Sequence, residues 1–442
     1  MQMMDRRQFI LNSSGLIAAS VSGCRGNLLS GLSAPPKGLL NRVQAEWEPT
    51  AAVWIGADVD RPEFMAFTAN LVKTLLPIVP VKLLVPSVDA QAKATGALRS
   101  QNFTNGRLQT FVHPDALFFV RDPFQFMLNG DGKAAVVDLG WNTYGMAEWC
   151  GRYRFPSEPE RARACGDYAK TDQGKLDRWV GDQLGTASHS VPLVMEAGGI
   201  ELNGDGLLLV SESLAVQRNQ NLTKAQLEAV FRDIPGVTKI VWLGEGLVED
   251  VHIKGTITGN YVGIGTGGHT DEFVRFADSN TVLLAWVDEE EAERHPLNAM
   301  NRQRMIANYA ILSRTTDTRG RPIRVIKVPL PEIVERVEVL AAKSFDPLAF
   351  AANSFPTSEG RKAGDRVTRV AASSYLNYLV VNGHLILPTY VEDGTSRTKE
   401  RRVEDIFRRA FPGKSIHWIR ATDVNWGGGG IHCATNSEPS WG

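Results

Sequence analysis

Short apolar, β-branched runs alternate with amphipathic helical patterns along most of this chain, and that alternation confines it to the α/β class. Runs at 51–55, 79–85, 134–139, 206–210, 239–243, 281–286, 324–328, 376–381 and 384–387 have the length and Val/Ile/Leu content of buried strands. Between them, 62–76, 223–231, 301–312 and 399–411 carry helical periodicity, with Thr223 placed to cap the second. No linker-like composition interrupts the pattern. A chain of 442 residues, 43% of them hydrophobic, buries a sizeable core, so with no linker one large domain over 45–442 is expected.

Residues 1–24 read as a targeting segment and stand outside the fold. Arg6-Arg7 lead into Phe9-Ile10-Leu11, and a weakly apolar stretch from Gly15 to Ser22 ends at Val21-Ser22-Gly23-Cys24. The order is that of a twin-arginine export signal joined to a lipoprotein processing box, with lipid expected on Cys24. Residues 25–44, rich in Gly, Ser, Pro and Leu, read as a tether. The protein is therefore expected in the periplasm or cell envelope, held to membrane only by its anchor. Later in the chain no uninterrupted apolar stretch reaches the roughly 18 residues of a spanning helix.

Basic and acidic residues, 48 and 49, are spread along the chain for a net charge of −1. That gives none of the one-signed field that holds nucleic acid, and a small molecule or peptide fits better as partner. Cys150 and Cys165 either pair in an oxidising compartment or are two buried thiols. No cysteine pair has zinc-finger spacing and no His-x-x-x-His occurs, so neither a metal nor a cofactor is expected.

Near the C-terminus, Gly427-Gly428-Gly429-Gly430-Ile431-His432-Cys433 sets a cysteine at the edge of four glycines. Such a run is costly in chain entropy and is kept where backbone must turn sharply or approach a ligand. Three more segments place polar groups beside permissive backbone: Gly267-Gly268-His269-Thr270-Asp271, Arg121-Asp122-Pro123 after the apolar run 117–120, and Met195-Glu196-Ala197-Gly198-Gly199. The His-x-Asp pair is expected on a strand or strand edge, projecting from one face. Asp122 is expected at a strand end. Taken singly, each has a plain reading: a flexible loop with a buried thiol, a solvated pair, a capped turn. Taken together, one thiol, one imidazole and three carboxylates suit a cationic carbon. Acyl transfer asks for neutral donors to an oxyanion, whereas a guanidinium must be gripped by carboxylates that lock its plane.

The order Asp122, Glu196, His269, Asp271, Cys433 resembles the guanidino-modifying superfamily, and within it the agmatine deiminase and bacterial peptidylarginine deiminase family. The likeness continues in Ala45-Glu46-Trp47-Glu48-Pro49-Thr50, in Val120-Arg121-Asp122-Pro123, and in Trp141-Asn142-Thr143-Tyr144-Gly145 beside the family's Asn-x-Trp-Gly. It extends to Glu196-Ala197-Gly198-Gly199, to Ser373-Ser374-Tyr375-Leu376-Asn377-Tyr378, and to Gly428–Thr435 beside Gly-Gly-Gly-x-Ile-His-Cys-x-Thr. The resemblance implies a pseudo-fivefold α/β propeller around a central funnel. It also implies Cys433 as nucleophile, His269 as acid and base, Asp122 and Asp271 as the guanidinium grip, and Glu196 orienting the imidazole. Trp47, Trp141, Asn142, Gly429 and Gly430 are implied substrate contacts, and no cofactor is required. His432, next to the nucleophile on a chain read as extended, is expected to be structural. An amidinotransferase using the same intermediate and an anchored binding protein for arginine-like ligands are the alternatives.

One departure bears on the substrate. Agmatine-specific members carry an acidic run directly before the histidine, but here Gly265-Thr266-Gly267-Gly268 stands there and Glu249-Asp250 lies upstream of an apparent insertion, 251–264. Peptide-borne arginine is then expected to be turned over at least as well as agmatine, unless Glu249-Asp250 folds back to restore an acidic wall; Arg152 and Arg154 are placed to meet a carboxylate but read first as solvated surface charges.

Overall fold

The computed structural model describes residues 41–99, 106–150, 159, 174–344 and 346–440, all within one compact unit. Residues 1–24 with Cys24, most of the tether, and Arg152, Arg154 and Cys165 lie outside the described residues. Cys150 is disulfide-bonded. Among the described residues no helix is long and apolar enough to cross a membrane.

The fold is mixed α/β, and five of its six sheets share one pattern, a single strand paired antiparallel on one side and parallel on the other, where the sixth has two such strands. Gln125–Leu128, Ala134–Asp138 and His189–Ser190 form one such sheet. Ile200–Leu202, Leu207–Ser211 and Lys239–Leu243 form the next. Val274–Asp278, Thr281–Trp286 and Arg324–Pro329 follow. Leu379–Val381, His384–Thr389 and Ser415–Arg420 make the fourth. The fifth joins the two ends of the fold: Thr435–Pro439 pairs antiparallel with Thr50–Gly56, which pairs parallel with Val81–Val85 and, through it, Leu108–Val112. Pairing of Thr435 with Ile55 fixes Cys433, two residues upstream, beside the first strand.

Middle strands such as Leu207–Ser211 are buried along their whole length. Burial on both faces explains why they read as unbroken apolar runs in the sequence instead of alternating. Helices cover them by conventional means. Pro62–Leu75 starts on proline, whose fixed φ suits a first turn, and buries Phe64, Phe67, Leu71, Val72 and Leu75 along one stripe. Each such side chain removed from water stabilises the fold by roughly 1.5–3 kcal/mol. Arg397–Ala410, capped by the Ser396 hydroxyl on the Lys399 N–H, buries Val403, Ile406, Phe407 and Ala410. The third predicted helix is longer than expected, Pro296–Leu312, because the His295 ring caps its first turn.

The insertion 251–264 belongs to the sixth sheet. Ile253–Thr258 and Tyr261–Gly265 form a hairpin that pairs with Arg366–Val370, and Glu335–Val339 lies at the far edge.

Three expectations change here. The run 117–120 is not a strand: it bends through the Val120 N–H on Phe118 O into a turn over 120–123, so Asp122 lies within a turn. His269 and Asp271 are not on a strand: Gly267 and Gly268 take φ of +95° and +114°, which breaks the extended chain, and Thr270–Glu272 is a single 3₁₀ turn. Finally, 376–378 fall outside the strand Leu379–Val381 and turn Asn377 toward the neighbouring loop.

Candidate active site

The five predicted polar residues converge because each occupies the same place in the repeated architecture. Asp122, Glu196, Asp271 and Cys433 lie two to four residues before the first strands Gln125–Leu128, Ile200–Leu202, Val274–Asp278 and Thr435–Pro439, and Asn377 stands likewise before Leu379–Val381. His269 enters on the same turn as Asp271. All are nearly inaccessible: Cys433 is 2% exposed, Asp122 1%, and Glu196, His269 and Asp271 0%.

The Cys433 sulfur accepts the Asn377 side-chain N–H at 3.0 Å and lies 3.4 Å from Asp271 Oδ2 and 4.0 Å from Glu272 Oε1. Asn377 also accepts the His432 backbone N–H at 2.8 Å, so one carboxamide holds both the Cys433 sulfur and the backbone beside it. His269 Nε2 meets Glu196 Oε2 at 3.2 Å, while its Nδ1 lies 3.7 Å from Asp122 Oδ1 and 3.9 Å from Asp271 Oδ1. Glu196 is tied on its other oxygen to Arg218 Nε at 2.8 Å. His269 Nδ1 and Asp271 Oδ1 are buried without a hydrogen-bond partner, as a pair awaiting a polar ligand would be. Gly198 forms the floor: a Cβ built there would lie 2.8 Å from both Asp122 Oδ1 and His269 Nδ1.

Burial raises the Cys433 thiol well above its ordinary value, and Asp271, Glu272 and Asp122 push it further. Burial also works against charge on His269, but Asp122, Glu196 and Asp271 outweigh it and carry the imidazole up to about 9. Asp122 is raised to about 6 by burial together with Asp271 and Glu196, against the opposing pull of His269 and Tyr144. Glu196, though buried, is lowered to about 2 by Arg218 and His269. Asp271 is lowered despite burial, by its hydrogen bond to His432 and by His269 and Arg275. Glu272 goes the other way, raised well above the carboxylate range by burial and by Asp271, Asp250 and Glu249.

Near neutral pH the site thus sets a cationic imidazole and an anionic Asp271 beside a neutral thiol. A cation that enters supplies the field to deprotonate that thiol.

Of the other predicted contacts, Trp141 is buried with its ring edge-to-face on Tyr144 at 4.5 Å, and Asn142 Oδ1 accepts the Gly145 N–H at 2.8 Å. A Cβ on Gly429 would come within 3.1 Å of the Cys433 sulfur, and one on Gly430 within 2.6 Å of Asn377 Oδ1. Trp47 packs on the apolar core instead. His432 is not on extended chain, since residues 431–434 form a turn. Its Nδ1 meets Asp271 Oδ2 and its Nε2 Glu46 Oε1, both at 2.8 Å, a bridge between two carboxylates that uses both ring nitrogens. Arg121 and Arg275 anchor Glu46 from behind.

Sequence reasoning passed over Glu272, Arg218 and Tyr144, whose hydroxyl donates to Asp122 Oδ2 at 2.6 Å. Asn377 lay inside a quoted motif without a role. The acidic pair Glu249-Asp250 turns inward. Asp250 accepts the backbone N–H groups of Thr266, Gly267, Gly268 and His269 and so builds the loop that presents the imidazole. Glu249 takes the Asn301 side-chain N–H at 2.8 Å. Beside the site, past Arg218 and the 142–145 turn, lies a cavity of about 200 Å³ lined by Asn142, Gln217, Gln220, Asn221 and His252.

A family model described as Porphyromonas-type peptidyl-arginine deiminase matches residues 42–439. Agmatine deiminases of Pseudomonas putida and Ectopseudomonas mendocina are 28% and 26% identical, each aligned over 92% of this chain and 98% of its own. Among solved structures, the agmatine deiminase of Enterococcus faecalis superposes with a TM-score of 0.68 at 23% identity, covering 93% of this chain and 99% of that one. The C. jejuni agmatine deiminase gives 0.62 at 17% identity, covering 90% and 96%.

Proposed function

This chain belongs to the Porphyromonas-type peptidyl-arginine deiminase family, and we propose that it hydrolyses a guanidinium substrate at Cys433, releasing ammonia. It is a hydrolase acting on C–N bonds, of the deiminase type. The observation that carries the residue assignment is the juxtaposition of the Cys433 sulfur, the buried unpartnered Asp271 Oδ1 and the cationic His269 in one enclosed space.

In this reading Asp122 and Asp271 accept N–H bonds from the guanidinium and hold its carbon in front of the sulfur. The incoming positive charge offsets the carboxylates that keep the thiol neutral, and the thiol proton passes to solvent water, since His269 already carries its own. The thiolate then adds to the carbon. His269, protonated, gives its proton to the departing nitrogen, the C–N bond breaks, and ammonia leaves an S-alkylthiouronium. His269, now neutral, takes a proton from water as its oxygen attacks the same carbon, and cleavage of the C–S bond releases the ureido product. Acid-base assistance of this kind contributes about 10²–10⁴-fold. Glu196, fixed by Arg218, orients the imidazole.

The five sheets of like pattern support a pseudo-fivefold propeller with the site in its central funnel. Each sheet then contributes its leading loop to the centre.

Peptide-borne arginine is the favoured substrate. Asp250 is engaged with the loop it caps and Glu249 with Asn301, which leaves neither to meet a distal ammonium. The adjoining cavity is lined by carboxamides suited to peptide groups. Export fits the same substrate, and the disulfide at Cys150 fits an oxidising compartment. The anchor is assigned to Cys24, and Cys24→Ala is expected to shift the protein from the membrane fraction to the soluble one.

Ammonia and ureido product measured side by side with agmatine, free arginine and an arginine peptide, with no amine added, tests the reading. Release of ammonia from a guanidine supports hydrolysis over amidino transfer. A hundredfold preference for agmatine, roughly 2.7 kcal/mol, would leave the deiminase reading standing and remove the peptide one.

A further inference from the structure

The turn 142–145 carries the most strained backbone near the site. Thr143, Tyr144 and Gly145 take φ of +62°, +59° and +70° in succession, and two of the three have side chains that rarely adopt this region. The turn is held from several sides: Asn142 Oδ1 accepts the Gly145 N–H at 2.8 Å, His252 Nε2 reaches Tyr144 O at 2.6 Å, and Trp141 packs edge-to-face on the Tyr144 ring. The outcome is that one hydroxyl is delivered to one carboxylate oxygen, Asp122 Oδ2, at 2.6 Å.

We propose that Tyr144 is a positioning residue for the reaction: its phenol O–H fixes the orientation of Asp122 and keeps that carboxylate competent to grip a guanidinium. The inference rests on the deiminase reading above. Asp122 has few other donors. Gly198 N–H meets Oδ1 at 3.2 Å and His269 Nδ1 stands 3.7 Å from that same oxygen, so among the described residues the Tyr144 hydroxyl alone holds the second oxygen. Of the titratable groups facing Asp122, the cationic His269 favours its charge together with the Tyr144 hydroxyl, while Asp271 and Glu196 oppose it by repulsion.

The mechanism of this control has a sign. Asp122 works as the anion, and the Tyr144 hydrogen bond favours the anion. Removing the hydroxyl therefore moves the loss of activity on acidification to higher pH.

The experiment is the pH dependence of kcat/KM for ammonia release by wild type, Tyr144→Phe and Tyr144→Trp. Both variants keep an aromatic ring on the turn; Tyr144→Phe, which has no donor, is expected to shift the acid limb upward by about 0.5–1 pH unit, the worth of one hydrogen bond, and Tyr144→Trp, whose indole keeps an N–H, by less. A uniform fall in kcat/KM at every pH, with the acid limb unmoved, would overturn the proposal and leave Tyr144 a structural residue. If the wild type released no ammonia at any pH, the deiminase reading itself would fail, and that is seen before either variant is compared.

Discussion

The side-chain N–H of Asn377 points at the Cys433 sulfur from 3.0 Å, and the oxygen of the same carboxamide takes the His432 N–H at 2.8 Å. A donor aimed at the sulfur favours the thiolate among carboxylates that disfavour it. Asn377→Asp replaces that donor by a further anion. We expect kcat to fall by about 10²-fold or more, on the scale of losing one preorganised donor, with a smaller change in KM. Steady-state kinetics check this, and a variant within threefold of wild type would show that the contact does not serve the reaction.

Gly198 has no room for a methyl group. A Cβ there would stand 2.8 Å from Asp122 Oδ1 and His269 Nδ1 and 3.0 Å from Asp271 Oδ2. Gly198→Ala is expected to displace the groups that meet the guanidinium while the sheets remain intact. Turnover should drop at least tenfold and the far-ultraviolet circular dichroism should not change.

The pH profile of kcat/KM should be bell-shaped. On the acid side Asp122, raised to about 6, must be ionised to grip the cation. On the alkaline side His269, raised to about 9, must hold the proton it gives to the leaving nitrogen. A profile flat from pH 5 to 10 would contradict both roles.

His269 also contributes to stability, and the sign follows from its raised value. Its contribution is complete below the ordinary histidine range and is lost as pH climbs through about 9. Thermal denaturation should therefore show a wild-type midpoint falling between pH 7 and 10 more steeply than that of His269→Asn.

The chemical groups of the site were legible in the sequence because each sits in the short loop that precedes a strand, within three residues of glycine or proline. Asp122 is followed by Pro123, His269 is preceded by Gly268, and Cys433 follows four glycines. Their partners were not, since Arg218, Tyr144 and Glu272 acquire meaning only when separate loops are brought together. Middle strands were visible because burial on both faces makes them continuous apolar runs. Glu335–Val339 was not, for its exposed edge carries alternating charges. Ile253–Thr258 and Tyr261–Gly265 are rich in threonine and glycine and pair mainly with each other, so they read as an insertion of unknown form. The expected strand at His269 failed for a local reason: two left-handed glycines supply the bend that turns the imidazole inward.

The central claim, that Cys433 is the nucleophile of a guanidine hydrolase, is tested most directly by ammonia release from Cys433→Ser under conditions in which the wild type turns over. A hydroxyl of similar size is far less ionised than a thiol, so the variant should keep the wild-type melting temperature within a few degrees and release no ammonia above background. Turnover within tenfold of wild type by the folded variant would contradict the claim.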